Sequence, residues 1–302
     1  MPAVLLFAIF LLSGSIFVNA QTLPSNEIVF VSDTQEPMWI ENVFLKANQN
    51  KRATKMIFQD IGKNEPRAVY ILGDVVSLGF KNKRWKNIDE YIAALQKKGI
   101  DVHAVLGNHD VMRKPKRGES NFQKRFPDHV RTGYVSIVDS IATVLVNSNF
   151  NKLTSEAIVS QQKWYEKMLI SLDTSKAVKA VIVTCHHAPY SNSKLVGSNE
   201  IVQRRFVTGY LTSKKSVLFI TGHSHAFEHF KKSGKNFLAI GGGGGIHQPL
   251  GTSLEDTSGD YKPWFHYLTV DRSGKKLIIF SHSIKDDFSG IEKKYNFSIP
   301  IP

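Results

Sequence analysis

The sequence predicts an α/β domain with largely parallel, helix-covered strands, to which the C-terminal part adds antiparallel strands in a mixed, two-sheet arrangement. Two observations predict it. Short runs rich in β-branched residues alternate with segments of helical periodicity, and the last part instead places two apolar runs around a tight turn.

Residues 27–32, EIVFVS, open the series as a buried strand, followed by 68–73 (AVYILG), 101–107 (DVHAVLG), 141–148 (IATVLVNS), 180–185 (AVIVTC), 216–222 (SVLFITG) and 236–241 (NFLAIG). Helices fall between them. RATKMIFQDIG (52–62) ends on a glycine, and KNIDEYIAALQKKG (86–99) sets Ile88, Tyr91, Ile92 and Leu95 at helical spacing before basic residues and a glycine stop. SEAIVSQQKWYEKMLISL (155–172) is a third helix. At the end, FHYLTV (265–270) and KLIIFS (276–281) flank DRSG and predict an antiparallel hairpin.

At 302 residues and 42% hydrophobic composition the chain can bury one large core. A single domain over residues 21–302 is expected, since no repeat, linker or compositional shift divides them. Residues 3–12, AVLLFAIFLL, with SGSIFVNA after them, fit an export signal, Val18 and Ala20 matching a cleavage site before Gln21. Residues 1–20 are thus expected to be a signal peptide, and the protein secreted or periplasmic without stable membrane insertion. Because no Lys or Arg precedes the apolar run, an uncleaved membrane anchor is the alternative. The single cysteine, Cys185, allows no internal disulfide, so the core must hold the fold.

The net charge of +13 lies wholly beyond residue 20 and draws the protein towards anionic partners such as phosphate esters, nucleic acid, acidic polysaccharide or anionic lipid. Basic runs at 81–86 (KNKRWK), 112–117 (MRKPKR) and 213–215 (SKK) carry no interleaved aromatic ladder. They read as solvated faces and loops, and no specific nucleic-acid partner is expected.

Polar residues recur at one kind of place. Asp33, Thr34 and Gln35 follow the first strand, Asp74 the second, and Asn108, His109 and Asp110 the third; His186 and His187 follow VIVTC, and His223 and His225 follow LFIT. Singly, each has an ordinary explanation, since an Asp after a strand commonly caps a turn or helix. Five in register deliver their polar tips to the carboxyl edge of the strands, where α/β sheets bind ligands.

Two Asp, one Asn and three or four His give oxygen and nitrogen donors without thiolate, which suits Mn, Fe or Zn. That is more than one ion needs, so two divalent ions sharing a bridging carboxylate are expected. Two metals roughly 3.5–4 Å apart lower the pKa of a water from about 15.7 towards about 7 and clamp the oxygens of an in-line displacement. Phosphoester hydrolysis is the matching reaction, slow enough uncatalysed to need both metals and a proton donor for the leaving group.

In order, SDTQ (32–35), GDVVS (73–77), GNHD (107–110), HHAP (186–189) and GHSH (222–225) resemble the signature of calcineurin-like metallophosphoesterases. GHSHAFEHF and LAIGGGGG resemble the purple acid phosphatase branch. The resemblance implies a four-layer αββα sandwich, two mixed sheets face to face with helices outside. It implies that Asp74 bridges two metals, that Asp33, His225 and Gln35 complete the first site, and that Asn108, His186 and His223 hold the second. It also implies that His109 is the catalytic residue, an unmetallated general acid at the leaving-group oxygen, supported by Asp110.

Two positions depart from the family pattern. Gln35 stands where many members have a His ligand, and an amide oxygen is the weaker donor, so the first metal is expected to bind loosely. Ser77 stands where the pattern has an Asp that orients the catalytic His or a Tyr that colours purple enzymes. No purple chromophore is therefore expected, and His109 is expected to be oriented by a backbone carbonyl or Asp110.

Arg113, in the basic loop 111–126, and His187 are further candidates on the substrate side. The glycine run 241–245 lacks the Lys and Ser/Thr of a phosphate-binding loop, and no GxSxG elbow supports a serine hydrolase. The sequence thus points to a secreted metallophosphoesterase acting on a phosphorylated small molecule or polymer. The alternative is a catalytically impaired phosphate- or polyanion-binding protein of the same fold.

Overall fold

The structure is a computed structural model and describes residues 26–302 apart from 254 and 260. The expected signal peptide lies outside the described residues.

The element order is β1 (Ile28–Val31), α1 (Glu41–Phe44), α2 (Asn50–Asn64), β2 (Ala68–Ile71), α3 (Asn82–Gln96), β3 (Asp101–Ala104), α4 (Pro115–Gln123), β4 (Tyr134–Val138), β5 (Ile141–Leu145), α5 (Ser155–Thr174), β6 (Ala180–Thr184), α6 (Glu200–Val202), α7 (Thr208–Thr212), β7 (Ser216–Thr221), β8 (Phe227–Lys232), β9 (Lys235–Ile240), β10 (His266–Ser273), β11 (Lys276–Ile284) and β12 (Ile291–Pro300). Two six-stranded sheets result, in the orders β12-β11-β10-β1-β2-β3 and β4-β5-β6-β7-β9-β8. Both are mixed, as expected. In the first, β1, β2 and β3 run parallel, and β10 joins β1 antiparallel. In the second, β5, β6, β7 and β9 run parallel between antiparallel edges β4 and β8.

The side-chain alternation along each strand builds the layers. Ile28 and Phe30 of β1 and Ala68 and Tyr70 of β2 face the second sheet, meeting Ala180 and Ile182 of β6 and Leu218 and Ile220 of β7. Val29, Val31, Val69 and Ile71 face outward onto Ile57 and Ile61 of α2 and Trp85, Ile88, Ile92 and Leu95 of α3. Val181, Val183 and Phe219 do the same against Tyr165, Leu169 and Leu172 of α5 and Tyr210 of α7. Strands buried on both faces read as unbroken apolar runs. The four-layer αββα sandwich is the outcome.

Some boundaries differ from expectation. Helix α2 runs through Gly62 and stops at Asn64, before Glu65 in the left-handed region, and α3 begins at Asn82, absorbing part of the basic run at 81–86 into its first turns. The segment expected as a basic loop after His109 contains α4, opened by Pro115 in its first turn. Strands β4, β8 and β12 were not expected. β8 is buried over Phe227–Phe230 but holds Glu228 and His229 within its run, and β12 exposes Glu292, Lys293 and Lys294 in succession and buries only Ile299, so the apolar signal of each is weak. The C-terminal hairpin is present, with Gly274 at positive φ in a turn that begins two residues later than DRSG suggested.

Candidate metal centre

The segments after β1, β2, β3, β6 and β7 meet at one edge of the two sheets. Backbone bonds tie them together: Asp33 N donates to the Gly73 carbonyl (3.1 Å), Gln35 N to that of Asp74 (3.1 Å), and Gly222 N to that of His186 (2.9 Å). At this edge Asp33, Asp74, His223 and His225 all have φ between 49° and 73°. Such left-handed geometry costs non-glycine residues of order 1 kcal/mol each and persists where the surroundings enforce it. Space is equally constrained, because a Cβ at Gly107 would overlap the backbone nitrogen and carboxylate of Asp74, and one at Gly222 the carboxylate of Asp33.

His186 Nδ1 donates to the Leu72 carbonyl (2.9 Å), which makes Nε2 the nitrogen that faces the site and the one free to ligate when the ring is neutral. That nitrogen faces Asn108 Oδ1 at 3.0 Å, His223 Nδ1 at 3.1 Å and Asp74 Oδ2 at 3.4 Å. His225 is fixed likewise, Nδ1 donating to the Ile246 carbonyl (2.6 Å) and Nε2 facing Asp33 Oδ1 at 3.2 Å. Asp33 Oδ1 is buried and receives no hydrogen bond, whereas Oδ2 accepts from Ser32 Oγ (2.7 Å) and His223 N (2.8 Å). With its amide oriented to suit its neighbours, Gln35 donates to the carbonyls of Asp74 (2.8 Å) and Asp33 (3.2 Å) and turns its oxygen towards His225 Nε2 (3.3 Å). Oxygen and nitrogen atoms of ligand type therefore converge from two sides, a donor set that suits divalent cations once the imidazoles give up their protons.

The ligand atoms of Asp33, Asp74 and His186 lie within 4.8 Å of one another, as do those of His186, His187 and His223. Of the seven expected metal residues, Asp33, Asp74, His186 and His223 belong to these groups, Asn108 lies against His186, and His225 lies beside Asp33 and Gln35. Burial raises Asp74 and Asp33, but the neighbouring imidazoles outweigh it and hold both carboxyls below the usual range. Burial lowers His186, but the Asp74 and Asp33 carboxylates overcome it and push the imidazole up to about 9. Burial, then the charge of His186, brings His187 down to about 3 and His223 well below its ordinary value. Among the described residues no Lys or Arg pairs with these two buried carboxylates, so the neighbouring imidazoles carry the balancing charge, a place that a bound cation would take over as it displaces their protons.

His109 stands beside the cluster without joining it. Its ring Nδ1 contacts the Ser77 carbonyl at 3.2 Å, its backbone N–H donates to Asp74 Oδ1 at 2.8 Å, and Nε2 faces Asp74 Oδ2 at 3.9 Å. Of the two orienting groups expected, the structure uses the carbonyl. Asp110 has another task, accepting from the backbone N–H groups of Gly107 (2.9 Å), Val76 (3.2 Å) and Val75 (3.4 Å) and so clamping the two loops that carry Asp74 and Asn108. Burial and the Asp74 charge raise its carboxyl to about 7.

Of the substrate-side candidates, His187 packs against His186 and His223, its Nδ1 2.8 Å from Ser148 Oγ. Arg113 is exposed in the turn before α4, at φ 61°. The sequence reading missed Ser148 and the carbonyls of Leu72, Ser77 and Ile246 that set the imidazole orientations. A backbone carbonyl leaves no mark in a sequence.

The family model for calcineurin-like phosphoesterases matches residues 27–227. No curated protein matches the chain in sequence. Among solved structures, the chain is similar to GAP50, the anchor in the inner membrane complex of Plasmodium, at 15% identity and TM-score 0.67 over 91% of this chain and 89% of that one. It is similar to a purple acid phosphatase from yellow lupin (Lupinus luteus) seeds, at 15% identity and TM-score 0.64, over 91% of this chain and 53% of that one. A dimetal phosphatase from Danio rerio shares 13% identity and TM-score 0.57, over 92% of this chain and 100% of that one. These likenesses show a common fold, and the match over residues 27–227, which contains every strand-end segment of the cluster, places the chain in the calcineurin-like phosphoesterase family.

Proposed function

We propose that the protein hydrolyses phosphate esters with two divalent ions. The observation that carries this reading is the convergence of Asn108 Oδ1, His223 Nδ1 and Asp74 Oδ2 on His186 Nε2, at 3.0, 3.1 and 3.4 Å. Asp33, Gln35 and His225 would hold one ion, Asn108, His186 and His223 the other, and Asp74 both. Ions of the Mn, Fe or Zn kind bound there would lower the pKa of a water and neutralise charge on the phosphoryl oxygens.

The chain's own contribution to bond breaking is His109. With Nδ1 held by the Ser77 carbonyl, Nε2 is the ring nitrogen left to carry a proton to the leaving-group oxygen. Asp110 keeps the Asp74 and Asn108 loops in register. The net charge of +13 attracts an anionic substrate, a phosphorylated small molecule or polymer. Cleavage after residue 20 would place this activity outside the cytoplasm, and no helix among the described residues is long and apolar enough to cross a membrane.

One observation favours a second reading, a protein of this fold that binds phosphate or a polyanion without turnover. Gln35 supplies only an amide oxygen, and its NH2 group is already tied to two carbonyls, so one ion is weakly held. Elemental mass spectrometry of the purified protein, paired with hydrolysis of aryl phosphate mono- and diesters with and without Mn and chelator, separates the two. Close to two ions with chelator-sensitive turnover supports the enzyme. One ion or none, with no turnover under any metal, favours the binding protein.

A further inference from the structure

Four residues after Gln35 the chain forms its most open apolar feature. Trp39, Ile40, Val43 and Phe44 are 75%, 42%, 63% and 80% exposed, and α1, which carries two of them, buries none of its residues. Local bonds shape the segment, Glu41 accepting from Met38 N (2.5 Å) and Leu45 N donating to the Glu41 carbonyl (2.8 Å). Single exposed apolar residues need no explanation, but two aromatics and two aliphatics grouped within six positions mark an interaction surface.

Cations fringe this patch. Lys46, Lys51, Arg52 and Lys55 follow it in sequence and are exposed. The carboxylates of the segment and of the residues just before it are engaged, Glu41 as above and Glu36 with Asn87 (2.6 Å), Lys51 (3.6 Å) and Arg84 (4.0 Å). Those contacts bring the segment to the start of α3, where exposed Lys81 and Lys83 lie. Lys81 and Lys114 both lean on Phe80, each ammonium 5.7 Å from its ring, so the loop after β3 joins the same rim.

We propose that residues 38–46 and the surrounding lysines form a docking surface for an anionic lipid bilayer, with Trp39 and Phe44 entering the interface and the cations meeting the headgroups. An amphipathic element with aromatics inside a basic fringe matches both parts of such a surface. A dissolved polyanion would use only the cations. A stable protein partner generally covers about 800 Å² per side, whereas these four side chains expose roughly 500 Å² from typical side-chain areas. Trp39 stands four residues after Gln35, so docking there would bring the metal-ligand edge of the sheets near the membrane, and phosphoesters borne on lipids or held near them become accessible substrates. The proposal goes beyond the phosphoesterase reading, and docking is measured without turnover.

The test uses the full chain and vesicles of phosphatidylcholine with and without phosphatidylserine. Co-sedimentation should favour the phosphatidylserine vesicles. The variant combining Trp39→Ala and Phe44→Ala should bind them about tenfold or more weakly. Pairing Lys46→Glu with Lys55→Glu should remove the preference for phosphatidylserine. Quenching of tryptophan emission by brominated lipid should largely vanish in Trp39→Phe, since Trp85 and Trp264 are buried and Trp164 packs against the core. All variants should keep the wild-type melting temperature and, without lipid, the wild-type aryl phosphate turnover. Residues 3–12 are common to all these proteins, so equal binding by wild type and the double alanine variant overturns the proposal. Equal binding to both vesicle types also overturns it, as does a dimer in sedimentation velocity that the alanine pair abolishes, which would identify a second copy as the occupant.

Discussion

His109 Nδ1 and the carbonyl oxygen of Ser77 are 3.2 Å apart, so the candidate proton donor is held by backbone at a position whose side chain the family pattern leads one to watch. Ser77 Oγ itself is buried without a hydrogen-bond partner. Ser77→Ala should therefore keep aryl phosphate turnover within about threefold, whereas His109→Ala should cut kcat by about 10²–10⁴ with metal content unchanged. Equal losses in the two variants would show that the hydroxyl, not the carbonyl, positions the ring.

Asp74 Oδ2 lies 3.4 Å from His186 Nε2, and on the proposed reading, in which Asp74 holds both ions, its removal should be felt by both. Saturating Mn should raise the melting temperature of the chelator-treated wild type by about 5 °C. In Asp74→Asn that shift should disappear, and the chelated variant should melt below chelated wild type, because the carboxylate that the neighbouring imidazoles hold ionised is lost and His186 is left without it. A retained Mn shift in calorimetry would mean that Asp74 is not a ligand.

Gly107 leaves room for the Asp74 backbone and carboxylate. Gly107→Ala should destabilise by about 2 kcal/mol or more and, where folded protein is recovered, reduce its ion content. Gly290, with open space around its Cβ position, supplies the control: Gly290→Ala should be close to neutral in denaturant titration. Similar midpoints for the two variants would contradict the close approach at Gly107.

Two buried histidines away from the ligand set predict sensitivity to acid. Burial brings both His266 and His282 down to about 4, the nearby Lys293 charge adding to the shift at His282. In the unfolded chain they take protons near 6.5, so their contribution to stability is complete above that pH and is lost as pH falls from 6.5 to about 4. His282 stacks on Tyr267 at 4.6 Å and 10°. His282→Gln should flatten the dependence of melting temperature on pH across this window, and an unchanged slope would remove His282 from the account.

Legibility followed the kind of signal each feature leaves. The clearest strands in the sequence are those buried on both faces, such as EIVFVS and AVIVTC, because a strand without a wet side must be apolar throughout, whereas buried β8 was hidden by the polar Glu228 and His229 in its run. The half-exposed edges β4 and β12 left no such run. Among the polar residues, the strand-end positions of Asp33, Asp74, Asn108, His186, His223 and His225 were visible because the chemistry needs specific side chains at fixed places.

The sequence by itself determined the layered α/β class, the family and which side chains are candidate donors, since these rest on burial pattern and side-chain identity. Only the tertiary structure decided how the donors point. The carbonyls of Leu72 and Ile246 turn His186 and His225 towards the carboxylates, the Ser77 carbonyl fixes His109, and Asp110 holds two loops by their backbone N–H groups. Every residue has a backbone carbonyl and nearly every one an N–H, so which of them does this work is set by the approach of chain segments distant in sequence, and no residue type records it.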